Sequence, residues 1–169
     1  KAFEIWSEEV KYKNDQAMAN LGLMYLKGEG VAKDFDKAKE WFEKASEFDN
    51  DSANFNLGQM YQAQIGVKQD DEKAIDYFRR AREKGHKQAN LSLALMLLKD
   101  RSNISNLKEG FDAMITAAQS GNMMAKMQIA GLDREPNSEA VLKSSFRSQS
   151  VDQQLEIVND ALDRYIRPM

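Results

Sequence analysis

The 169 residues carry 24 basic and 27 acidic side chains, a formal charge of -3, and no cysteine. Both signs of charge are intermixed, so no polycationic stretch can follow a phosphate backbone, and neither nucleic acid nor an anionic membrane surface is an expected partner. The missing cysteine excludes disulfides, thiolate metal sites and a cysteine nucleophile, and no apolar run reaches the roughly 18 residues of a spanning helix.

The chain opens at Lys1 with neither an initiator Met nor a signal segment, which reads as a fragment or a processed chain. Ala2, Ile5 and Trp6 recur at helical spacing. From residue 17 the text repeats itself. "AMANLGLMYLKGEGVAKDFDKAKEWFEKASEFDN" (17–50) and "ANFNLGQMYQAQIGVKQDDEKAIDYFRRAREKGH" (53–86) align without a gap at a period of 36 residues. Leu21 pairs with Leu57, Gly22 with Gly58, Tyr25 with Tyr61, Gly30 with Gly66, Asp34 with Asp70, Ala38 with Ala74, Trp41 with Tyr77, Phe42 with Phe78 and Ala45 with Ala81. A fixed period of this length is the signature of a repeat architecture.

Within each period the apolar residues recur at three and four, which predicts two helices per unit. Gly22, Ala38 and Ala45 let paired backbones approach while Tyr25, Trp41 and Phe42 fill the space beside them. Gly22 in mid-helix costs about 1 kcal/mol relative to Ala, and close helix contact is the simplest reason to tolerate it. Asp34, Asp70 and Asn106 stand where the second helix of each unit needs an N-cap, the last with Glu109 in a capping box.

The register implies units at 17–52 and 53–88, a degenerate unit at 89–124 and a partial one at 125–148, preceded over 1–16 by the second helix of an earlier unit. Val141, Leu142 and Phe146 predict a helix over 138–147. Ser150 and Gln153 predict a capping box for a last helix, within 149–169, that reaches Ile166 and carries Val151, Leu155, Val158, Leu162 and Tyr165 as a stripe.

The pattern "A…LG…Y…G.GV..D..KA..W/Y-F..A" resembles the Sel1-like repeat, a relative of the tetratricopeptide repeat, over 17–86 and more thinly on either side. The resemblance implies an all-α, right-handed alpha-alpha solenoid of about four units with C-terminal capping helices. It also implies a noncatalytic scaffold or adaptor in a bacterial periplasm or envelope ahead of the cytoplasm. An alternative is a structural or oligomeric subunit of a cell-envelope or secretion-associated complex. By the same resemblance the first helix of each unit lines a concave face that binds a peptide or helix of a protein partner. The residues placed there are Gln16, Ala19, Leu23 and Leu26, then Phe55, Gln59 and Gln62, then Gln88, Leu91, Leu95 and Leu98, then Met124 and Met127. Leu23, Leu26, Phe55, Leu91, Leu95, Leu98 and Met127 form an apolar surplus that an external segment or the chain's own last helix would cover. A third possibility is that several of them are ordinary core between neighbouring repeats.

Other chemistry finds little support. Gly28 and Gly30 are spaced like part of a phosphate loop but follow a helical pattern and lack the third glycine and any Lys-Ser/Thr pair, so no nucleotide or other cofactor is expected. Their reading is a helix reversal in which Gly30, which recurs, takes positive φ and Gly28, matched by Gln64, is the freer of the two. His86 is the only histidine and reads as a surface loop residue, which leaves no metal set. "DDEK" at 70–73 complements a helix dipole without a ligand. Two sequons, at Asn50 and Asn103, carry no weight by themselves. Met96, Met114, Met123, Met124 and Met127 cluster in the thinner repeats, suited to irregular gaps or irregular partners.

Overall fold

The computed structural model describes residues 2–10, 13–99 and 104–132. Among them the backbone forms eight helices: α1 (Ala2–Glu9), α2 (Asp15–Lys27), α3 (Phe35–Ser46), α4 (Asp51–Ala63), α5 (Asp71–Glu83), α6 (Ala89–Leu97), α7 (Ile104–Gln119) and α8 (Met123–Leu132). The helices expected at 138–147 and in 149–169 lie outside the described residues. The architecture is an all-α solenoid of repeated helix-turn-helix units. It divides into two compact parts, Lys1–Leu93 and Ala94–Met169.

Helix starts follow from side chains that satisfy the first free amides. Asp34 Oδ1 accepts from Lys37 N and Asp70 Oδ1 from Lys73 N, both at 3.0 Å. Asn14 and Asn50 do the same for α2 and α4, accepting from Ala17 N at 3.0 Å and Ala53 N at 2.9 Å. Asn106 departs from its expected role: α7 begins at Ile104, so Asn106 lies inside its first turn and is not the N-cap.

The α2–α3 reversal places both glycines at positive φ, 77° for Gly28 and 76° for Gly30. Gly28 is therefore as left-handed as Gly30, which corrects the expected inequality. Gly28 ends α2 with its N–H on Met24 O, and Gln64 ends α4 in the same conformation at φ 57°, so that position accepts a side chain at some strain. In the same register the third unit has Asp100 and Ser102 in place of Gly28 and Gly30, and both lie outside the described residues. What distinguishes the second glycine is space: a Cβ on Gly66 would collide with Phe35 Cβ, next to the backbone, whereas one on Gly30 meets only the mobile tip of Met24 at 3.1 Å.

Each reversal is also closed by a clip. Asp34 N donates to Tyr25 O at 3.0 Å and Asp70 N to Tyr61 O at 3.3 Å. The lysine after each cap returns to the same place: Lys37 Nζ is 3.2 Å from Asp34 Oδ2 and 5.4 Å from the centre of the Tyr25 ring. Lys73 repeats this with Asp70 at 3.4 Å and Tyr61 at 5.2 Å. Amide donation holds the Asp34 and Asp70 carboxyls below their ordinary range, with the lysines adding to it.

Packing within a unit turns on a glycine against a phenylalanine. A Cβ on Gly22 would stand 2.6 Å from the Phe42 ring and one on Gly58 2.7 Å from the Phe78 ring, so each ring lies flush on a helix backbone. Phe42, Phe78, Leu21, Leu57, Ala38, Ala45, Ala74 and Ala81 are buried, as are Gly22, Gly58 and Tyr61. Tyr25, Trp41 and Tyr77 are half-buried against this core.

Between units the chain turns a different corner, and it turns it three times. Asn50 N donates to Ala45 O, His86 N to Ala81 O and Asn122 N to Ala117 O, at 3.3, 2.9 and 3.0 Å. The same 36-residue register thus persists through the thinner part of the sequence, and Asn122 Oδ1 caps α8 by accepting from Ala125 N at 3.1 Å.

Candidate protein-binding surface

The first helices α2 and α4 each offer two apolar sides, and the core takes both. Ala19 is buried in the cluster formed by Met18, Ala38, Phe42, Ala45, Ala53, Leu57 and Met60. Leu23 and Leu26 are half-buried against that cluster. Phe55 is 7% exposed, tilted on Phe78 with ring centres 5.7 Å apart and stacked on His86 at 4.2 Å. Ala19 and Phe55 are accordingly core and not groove, a correction whose cause is the small-large packing of successive helices.

What α2 and α4 leave outward is a strip of uncharged side chains, all polar but one, Leu23. Gln16, Asn20 and Leu23 follow one another at helical spacing on α2, and Ser52, Asn56 and Gln59 occupy the equivalent positions on α4. Gln16 and Gln59 are exposed and the other four half-buried. Gln16 Nε2 donates to Asn20 Oδ1 at 3.4 Å and Asn56 Nδ2 to Ser52 O at 2.7 Å, so the amides are tethered along their own helices. Gln62 and Leu91 are half-buried and Gln88 is exposed.

In the second part of the chain Leu95 is 42% exposed and Leu98 half-buried, while Met124 and Met127 are 56% and 68% exposed. The five clustered methionines therefore divide by use. Met96 and Met114 fill the core, and Met123, Met124 and Met127 face outward.

His86 is half-buried in the corner between α5 and α6 rather than a surface loop residue. Burial pushes its basicity below the ordinary histidine value, against a smaller upward pull from Asp51. The sequon at Asn50 is closed to modification in the folded chain. Asn50 is 6% exposed, caps α4 through Oδ1 and donates through Nδ2 to Asp15 Oδ2 at 2.7 Å, which ties one unit to the preceding one. Asn103 lies outside the described residues.

Sequence reasoning missed the ladder Asn14, Asn50, His86 and Asn122, although it was available at the same period of 36. These residues close each unit onto the next. Among the described residues no group of three or more His, Asp or Glu side chains can hold a metal ion. No helix among them is long and apolar enough to cross a membrane. Nothing among the described residues designates catalytic chemistry.

The family model described as Sel1 repeat matches residues 15–47 and 51–86. No curated protein matches the chain. Among solved structures, the chain is similar to a Sel1 repeat protein from Oxalobacter formigenes, with TM-score 0.71 and 26% identity, covering 96% of this chain and 78% of that one. It is also similar to c5321, a protective antigen present in uropathogenic Escherichia coli strains that displays the same repeat fold, with TM-score 0.67 and 21% identity. That match covers 88% of this chain but only 29% of the antigen and shows the fold alone.

Proposed function

We propose, from the premise that this chain belongs to the Sel1-like repeat family and is a noncatalytic protein-interaction scaffold, that the outward strip of its first helices binds a segment of a protein partner. The observation that carries the reading is the strip Gln16, Asn20, Leu23 on α2 and Ser52, Asn56, Gln59 on α4, which holds no charged side chain on a surface otherwise rich in them. A side-chain amide presents donors and an acceptor together, the complement of the unpaired N–H and C=O groups of an extended peptide. Leu23 supplies an apolar contact between them. Recognition of this kind reads main chain first and side chains second, which suits an adaptor that meets an uncharged segment.

Panning a displayed random-peptide library against the chain and measuring the recovered peptides by calorimetry tests the reading. A Gln16→Glu plus Gln59→Glu variant is expected to bind about tenfold or more weakly, equivalent to about 1.4 kcal/mol, with helicity unchanged. Equal affinity in the folded variant would rule the strip out. Light scattering over a concentration series separates this from the self-associating structural subunit, for which mass rises with concentration and the double variant leaves that rise untouched.

A further inference from the structure

Four positions begin a first helix in this register, and three of them are asparagine. Asn14, Asn50 and Asn122 each accept a hydrogen bond from the amide three residues on, and each is uncharged. The fourth is His86. Its side chain does not cap: the Ala89 amide goes instead to the His86 carbonyl at 3.1 Å, and the imidazole lies over Phe55 with ring centres 4.2 Å apart and planes 19° from parallel. Nδ1 is buried without a protein hydrogen-bond partner. The ring has been taken from the helix start and used to close the core.

We propose that His86 is a proton-operated latch on the α5–α6 corner: neutral, its ring closes the core over Phe55; protonated, it leaves that seat and the start of α6 frays. Three features of the site oppose a cation there. The buried Nδ1 has no hydrogen-bond partner where it sits, so protonation there adds a buried N–H that no present contact satisfies. The ring is partly withdrawn from water, which disfavours the charged form. It also sits at the amino end of α6, where the helix dipole favours negative charge and repels positive. Two features favour a cation: Asp51, from α4, and the π face of Phe55. At the C-terminal cap of α5, Lys84 Nζ is held 2.9 Å from Asp49 Oδ2, and Lys87, beside His86, is exposed and of the same sign as an imidazolium. Desolvation is the largest influence and sets the direction, so the folded chain holds the proton less tightly than the unfolded chain does.

That fixes the sign of the linkage. The stabilisation is complete above the unfolded value of about 6.5 and is lost as pH falls from there through the folded value. Because His86 is the only histidine, its imidazole proton resonances in NMR report its titration directly in the parent chain. The expected result is a midpoint below that of a histidine in a short peptide. Amide exchange at Ala89 and Asn90, corrected for the intrinsic pH dependence, is expected to accelerate on going from about pH 7.5 to about pH 5.5. The urea midpoint of the parent should fall over the same interval, and the fall should vanish in His86→Asn, which restores the cap, and in His86→Phe, which keeps a stacked ring that cannot titrate. A midpoint at or above the peptide value, as pairing of the imidazolium with Asp51 or Asn90 would give, overturns the proposal. So does an equal loss of stability in the parent and both variants.

Discussion

Positions 19, 55, 91 and 127 share one place in the register, yet Ala19 is fully buried, Phe55 is 7% exposed, Leu91 is half-buried and Met127 is 68% exposed. Side-chain size cannot account for the series, since the smallest and one of the largest are both buried. What differs is what lies over each position. Ala19 sits in the cluster between α2, α3 and α4, and Phe55 is covered by Phe78 from α5 and His86 from the next corner. In a repeat protein burial is conferred by neighbouring units, so the same register position can be core in one repeat and surface in another.

The largest expected effect tests that contrast head on. Phe55→Ala should lose about 3–5 kcal/mol in urea unfolding, as for an aromatic removed from a packed core. Met127→Ala should stay within about 0.5 kcal/mol, as for a surface change. Equal losses would erase the distinction between the two ends of the series. Next in size is Gly58→Ala, where the new Cβ meets the Phe78 ring at 2.7 Å. Overpacking is expected to cost about 1–3 kcal/mol, against a gain of about 1 kcal/mol in helix propensity. A net stabilisation would mean the ring shifts freely, and the flush packing would lose its meaning.

The series hides a polar counterpart that was harder to read. Small and large residues alternating at 22, 38, 42 and 45 announced the core of each unit, and the aspartates at 34 and 70 announced the start of its second helix, because both rest on local spacing. Phe55 looked like surplus because a one-dimensional pattern records which side of a helix is apolar but not how many neighbours press on it. Gln64 gave no sign of its left-handed backbone, since it stands where the first repeat has Gly28 and nothing about glutamine marks a helix end. Asn14 and Asn50 could have been recognised as caps, but their second bond cannot be seen without coordinates: Asn50 reaches Asp15, 35 positions back.

Asn50→Ala sharpens this point. Loss of an asparagine cap costs about 0.5–2 kcal/mol, and here the Asp15 bond is lost as well, so the upper part of that range is expected. A cycle with Asp15→Ala should show coupling between the two residues of about 0.5 kcal/mol or more, and strict additivity would indicate that the cap alone matters. The smallest expected effect is acidic. Asp34 and Asp70 hold their protons less tightly when folded, so the stability they add is present above the unfolded carboxylate value of about 3.8 and is lost as pH falls through the folded values. Converting both to Asn, which still caps, should flatten the acid limb of the stability curve relative to the parent, and an unchanged limb would assign it to other carboxylates.

The clips at Asp34 and Asp70 have a kinetic consequence. Each joins residues of a single helical hairpin, so the chain closed in forming it is short and the entropy lost in closing it is small. The bonds that demand distant partners, such as Asn50 to Asp15, come only after two hairpins exist to be joined. Low contact order of this kind favours fast folding that can nucleate in either repeat and spread along the stack. A folding transition state built this way would have the Asp-Lys-Tyr clips formed and the asparagine corners still open, so substitutions at the clips should slow folding while those at the corners mainly hasten unfolding.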